Sequence, residues 1–395
     1  MKRLSLTNKV VVALIPVLVG AVPTVAQSSK VRPNAYDFYL RAGKALDRTD
    51  EAQGADYPLF TDAQKNARFG SPWKRREAVL RHNARALSIM RQGFAFPYSP
   101  PPVTSYWNVV RYPLFPQTRE MARLLGVEAE VYAHRGEYAK SVNSGIDAIR
   151  LSKDISRGMV GDLLVGNAIA GIGQSQIKKA TIEKLNAAEA AAAAQRLEKL
   201  EARDVSYADV LREEKRFGNL MLREMFKEDQ AKWRKEYPTT KTPRQLTVDY
   251  NRLMDEAIIN ATLPFALRKT TLSRANDELN KTMTDLYTNG MATTGSFQAR
   301  DKTLSQLLKT MLALRAYKVE VGHYPATLGE LAPKYLRRVP LDPFSNNQPL
   351  RYKTTGIEYS LYSIGYDGVD DGGKALPKRA QPDAKGDIVA GINTR

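Results

Sequence analysis

The sequence contains no cysteine among its 395 residues, which excludes disulfides, thiolate metal sites and thiol nucleophiles. Histidine is nearly as scarce: His82, His134 and His323 are the three, and no two lie close in sequence. A histidine-rich metal site or a Ser-His-Asp triad would rest on a single scattered imidazole. No apolar run approaches the length of a comfortable membrane span, about 20 residues. What the chain has in excess is positive charge, a formal +18 with a pI of about 9.8. Such a surface can attract nucleic acid, anionic lipid or anionic wall polymers. Its densest basic runs, at 73–76 and 232–244, lack the stacking aromatics of a nucleic-acid groove, so nucleic acid is not an expected partner.

The N-terminus reads as an export signal. Lys2, Arg3 and Lys9 accompany an apolar stretch at 10–22, and Thr24-Val25-Ala26 supplies small residues for cleavage after Ala26. Pro16 and Pro23 disfavour a spanning helix. With residues 1–26 taken as a signal peptide, the mature protein is expected in the periplasm or cell envelope. Membrane association is expected only where that segment is retained as an anchor.

Residues 30–290 carry mostly helical patterning and form one expected domain. Apolar residues recur at helical spacing over 35–46 and 77–93, while six prolines between Pro97 and Pro116 argue for an ordered loop. Residues 118–155 form two amphipathic stretches around His134-Arg135-Gly136. This unit resembles a single tetratricopeptide-like hairpin, although no 34-residue recurrence surrounds it. A Gly- and Ala-rich stretch at 158–180 predicts a buried helix. Its Gly171-Ile172-Gly173 is no dinucleotide fingerprint, because position 176 is Gln and no strand precedes it. Two S-x-x-K tetrads, at Ser71 and Ser175, lack the K-T-G partner of serine acyl-enzymes. Further helices are expected at 187–204 and 207–237, and the Gly/Ser/Thr-rich 289–301 is the expected domain boundary.

Residues 301–395 read as a second, small α+β domain. A long helix opens it, with Leu304, Leu307, Leu308, Met311 and Leu314 on one face and Gly322 at its end. Short strands follow at 350–353 and 357–364, with an edge strand at 387–392. The fold class is therefore mainly α, with a long helix packed on a short antiparallel meander at the C-terminus.

The loop 361–373, LYSIGYDGVDDGG, admits three readings: a calcium loop, a carboxylate pair, or a solvated Asp-Gly turn. It fails as an EF-hand, since Val369 and Lys378 fall where ligands are required. The ordered series ALRAYKVEVGHYP, VPLDPFSNNQPLRY, YSLYSIGYDG and a final GDI resembles the C-terminal domain of the type II secretion major pseudopilin, the G class. The preceding region resembles uncharacterised exported helical proteins of planctomycete-like bacteria. That pseudopilin family has a prepilin-peptidase helix directly upstream of the domain, whereas here an ordinary signal sequence and a long helical region stand instead. The resemblance implies calcium as a cofactor, with Asp367 and Asp387 as best-matched ligands and Asp370 and Asp371 as substitutes.

No catalytic constellation emerges, so the chain is read as a non-enzymatic envelope protein, a helical interaction domain fused to a pseudopilin-like module. Its expected partner is a protein or an anionic envelope polymer. The alternatives are an accessory of a secretion or pilus-like machine and a wall-polymer hydrolase. The hydrolase would need two carboxylates about 5–10 Å apart in one pocket.

Overall fold

Local capping chemistry sets where most helices begin. In the computed structural model, Asn34 caps α1 (Ala35–Lys44), accepting from the Tyr36 amide at 3.1 Å. Ser71 caps α2 (Pro72–Gly93), where Pro72 occupies a first-turn position whose N–H needs no helical partner. Reciprocal capping boxes open α7 (Ala187–Glu201), through Asn186 and Glu189, and α9 (Pro243–Thr262), through Thr242 and Gln245. The structure describes residues 33–49, 70–105, 114–228, 241–268, 278–377 except 347, and 382–394 except 383. The leader at 1–26 and most of the basic run 232–244 lie outside the described residues.

The tetratricopeptide-like reading corresponds to α3 (Leu114–His134) and α4 (Tyr138–Ile155), joined by a tight turn in which the Glu137 amide reaches the Tyr132 carbonyl at 2.8 Å. The helix starts earlier than the prolines suggested: Pro116 sits in its first turn, where a missing N–H does no harm. Next comes α5 (Val160–Gln176), which crosses α4 so closely that a Cβ on Gly173 would sit 2.4 Å from the Gly145 carbonyl oxygen. The glycine pair that looked like a nucleotide fingerprint thus includes a packing contact. Both S-x-x-K serines are local as well: Ser71 is a cap, and Ser175 donates to the Ile172 carbonyl at 2.8 Å.

A one-turn helix, α6 (Lys179–Ile182), leads into α7, followed by α8 (Tyr207–Glu228) and α9. The last helix is α10 (Glu278–Val321), 44 residues long, or about 66 Å at 1.5 Å per residue. The stretch 289–301, expected as a domain boundary, is helical and lies inside α10. Its glycines and β-branched residues disfavour a helix locally, but tertiary contacts override that weak preference. Asp301 anchors the stretch, pairing with Lys153 of α4 at 3.3 Å and accepting from the Gln174 amide of α5 at 2.7 Å. Burial alone would push the Lys153 ammonium down. Asp301 and Asp204 overcome that and hold it above the usual lysine range.

The protein is mainly α-helical with a small C-terminal α+β element, as the periodicity predicted. Residues 34–395 form one compact unit, and one hydrophobic cluster shows why. Leu307, Leu308 and Met311 of α10 belong to the same cluster as Ile146 and Ile149 of α4 and Ala194 and Leu197 of α7. The same cluster includes Leu361, Ile364 and Ile388 of the meander. The meander comprises β1 (Arg351–Thr354), β2 (Tyr359–Ser363) and β3 (Ile388–Val389), antiparallel in the order β1-β2-β3. Strand β2 is central, and Leu361, Tyr362 and Ser363 are all buried, on alternating faces.

Candidate functional site

Two buried aspartates tie the meander together. Asp342, in the D-P-F turn, accepts from the Phe344 amide at 2.9 Å, the Ser363 hydroxyl at 2.7 Å and the Ile364 amide at 3.0 Å. These bonds fasten that turn to the end of β2. Asp387, just before β3, accepts from the Gly373 amide at 2.6 Å and the Asp371 amide at 3.4 Å. Its own amide donates to the Lys374 carbonyl at 2.7 Å. The loop after β2 must pass the residue before Asp387 closely: a Cβ on Gly365 would lie 2.2 Å from the Gly386 oxygen, and Gly365 also takes a positive φ of 69°. That glycine is therefore demanded by geometry.

The four predicted site residues divide. Asp370, Asp371 and Asp387 come close enough for the first two to act electrostatically on the third. Burial is the largest influence raising the Asp387 carboxyl, and its two neighbours push it further. Asp370 also accepts from the Arg351 guanidinium at 3.1 Å and the Tyr362 hydroxyl at 3.0 Å. Asp367 stands apart, exposed, accepting from the Val369 amide at 3.2 Å. Among the described residues, no group of three or more His, Asp or Glu side chains is arranged to hold a metal ion.

A calcium cage needs six to eight oxygens free to face the ion. The Asp387 oxygens instead face backbone N–H donors, and Asp370 faces a cation, so this donor set does not fit calcium as arranged. Millimolar calcium is accordingly expected to leave the melting temperature of the full chain unchanged. A rise that Asp387→Ala or Asp367→Ala abolishes would reverse this reading.

Asp367 does line something else. A cavity of about 250 Å³ lies between α8, α9 and α10 on one side and the D-P-F turn and Tyr366-Asp367-Gly368 on the other. Its rings form an edge-to-face series: Phe265 to Phe344 at 4.9 Å, then Phe344 to Tyr366 at 5.3 Å. Tyr207 closes the helical side, its hydroxyl donating to the Met291 carbonyl at 2.5 Å, and burial pushes its phenol upward. Arg268 folds back to cap α9, giving Nε to the Leu263 carbonyl and Nη2 to the Ala261 carbonyl, each at 3.0 Å. Its guanidinium lies over the Tyr207 and Phe265 rings at 5.7 and 5.6 Å.

The sequence did not disclose this cleft. Positions 207, 268, 344 and 366 carry no shared spacing. The histidines take structural or surface roles: His134 stacks on Trp73 at 3.9 Å, His82 pairs with Asp47 at 2.9 Å, and His323 contacts the Tyr324 carbonyl at 2.9 Å. Comparison with known proteins yields no matching family model, no matching curated protein and no matching solved structure.

Proposed function

We propose that this chain is an exported, non-enzymatic envelope protein that binds its partner through the cleft between its helical body and its pseudopilin-like C-terminal module. The observation that carries the reading is the cleft itself, walled by residues from both parts: Tyr207, Phe265 and Arg268 on one side, and Phe344, Tyr366 and Asp367 on the other. Apolar and aromatic walls with a few polar groups are what ligand sites commonly present. Export rests on the N-terminal signal pattern, and the pseudopilin-like label on the ordered C-terminal motifs.

The test uses the full mature chain and a neutral planar probe, 2-naphthamide, followed by ligand-observed NMR. Saturable binding is expected, with the probe recovered unchanged. Ala266 sits exposed on the cleft wall, so Ala266→Trp should obstruct the cleft without touching the core and weaken binding about tenfold. Equal binding by wild type and Ala266→Trp would place the probe elsewhere and overturn the reading.

A further inference from the structure

A second concavity, sharing no lining residue with the cleft, runs between α2 and α3 with a volume of about 710 Å³. It follows α2 from Glu77 to Gln92, about 22 Å at 1.5 Å per residue. Its floor is apolar: Leu87 and Val131 are buried, Leu80 is half-buried and Ala84 is exposed. The two carboxylates that line it are already committed. Glu77 accepts from Arg135 Nε and Nη2 at 3.1 and 2.6 Å. Glu128 accepts from both Nη nitrogens of Arg91 and, at 2.6 Å, from the Ser144 hydroxyl. Arg91 in turn gives Nε to Asp147 at 2.7 Å. Arg81 is the exception. It lines the groove, is exposed, and its guanidinium makes no hydrogen bond or ion pair among the described residues. Its charge reaches Glu77 only after that of Arg135. Lys74 and Arg85 stand seven residues before it and four after, on one stripe of α2. Both are exposed, and neither pairs with a carboxylate among the described residues.

We propose that the α2–α3 groove binds an acidic peptide segment, its apolar side chains on the floor and its carboxylates against Arg81 and the stripe it belongs to. The floor rewards side chains that leave water, and an unpaired guanidinium on the rim supplies charge-assisted bonds to a carboxylate. Length agrees as well. Seven residues in polyproline II conformation, at 3.1 Å each, span about 22 Å. With three residues per turn, an apolar residue at every third position keeps one edge on the floor and leaves acidic residues on both flanks. A basic segment would meet Arg81 with no free carboxylate to compensate it. A polyanion without apolar groups would use the stripe and leave the floor wet, a difference that substitution on the floor reveals.

The experiment follows the fluorescence polarisation of a fluorescein-labelled peptide, Leu-Glu-Glu-Leu-Glu-Glu-Leu, titrated with the full mature chain. A counterpart with glutamine at every acidic position should bind about tenfold more weakly. Arg81→Glu should weaken the acidic peptide about tenfold, since attraction becomes repulsion, and leave the glutamine peptide nearly unchanged. Ala84→Trp fills the floor from an exposed position and should weaken both peptides. Because the chain carries a formal +18, Lys353→Glu provides the control. Lys353 is exposed on β1, and the same change of charge there should leave binding as in wild type. Equal binding of the two peptides, or equal weakening by Lys353→Glu and Arg81→Glu, would reduce the effect to diffuse charge and overturn the proposal. A loss with Arg81→Glu that Ala84→Trp does not reproduce would assign the stripe to a polyanion and overturn it too, as would an acidic peptide that does not bind. None of these outcomes bears on the cleft, which Ala266→Trp tests separately.

Discussion

Replacing Asp154 with alanine is expected to destabilise the chain by about 3–5 kcal/mol, the usual consequence of stranding a buried charge. Asp154 is completely buried on α4 and forms an ion pair with Arg150, one turn earlier, whose side chain is also buried. It accepts from the Tyr39 hydroxyl of α1 at 2.6 Å, and Arg203 approaches its other oxygen at 3.4 Å. One carboxylate thereby joins the first helix, the hairpin and the turn after α7. Burial, followed by the charge of Asp154, holds the Tyr39 phenol well above its ordinary value. The alanine variant leaves the Arg150 guanidinium with a weak bond to the Phe94 carbonyl at 3.3 Å and the Phe94 ring, 5.1 Å away, for company. Urea unfolding checks the prediction. A loss under about 1 kcal/mol would mean that water reaches Arg150 freely. The double variant Arg150→Met with Asp154→Leu should recover much of the loss, because well-packed apolar residues can replace a buried pair at little cost.

Asp342→Ala is expected to lower stability by about 3 kcal/mol or more, since it leaves three donors without their acceptor in a buried setting. Those donors are the Phe344 amide, the Ser363 hydroxyl and the Ile364 amide. Asp342→Asn should fall between, because its NH2 group would face the Ile364 N–H, a donor against a donor. The pH dependence has a definite sign. Burial outweighs the three donors and holds the Asp342 carboxyl above the ordinary aspartate value. A carboxyl raised in the folded state contributes fully below its unfolded pKa of about 3.9, and that share is lost as pH rises through the folded value. The stability gap between wild type and Asp342→Asn should therefore narrow as pH rises from about 4. Paired denaturation curves across that range decide it, and a widening gap would reverse the assignment.

Both aspartates had been readable as parts of a pattern, and neither as what it does. Asp342 was one letter of a D-P-F motif, and Asp387 one letter of a final D-I. Apolar periodicity and strand alternation were enough to forecast a helix and a meander around them. They gave no means of telling a carboxylate that greets a cation from one that collects backbone N–H groups. That distinction depends on where Gly373, Asp371 and Ile364 point their amides, which the folded loops decide.

The amino-acid order determined, by itself, the features that depend on neighbours a few residues away. Helix starts follow from Asn34, Ser71, Asn186 and Thr242, whose side chains reach amides two or three residues on. Apolar periodicity located most helices, and alternation located the strands. Tertiary structure alone decided that the Gly/Ser/Thr-rich stretch before Asp301 is the middle of a 44-residue helix, since its anchors, Lys153 and Gln174, are over a hundred residues away. It also assembled the cleft from Tyr207, Arg268, Phe344 and Tyr366. The physical reason is the same in both cases. Capping and periodicity act over one or two turns of chain, whereas burial and ion pairing reward whatever side chains the fold brings within a few ångströms, however far apart they stand in sequence.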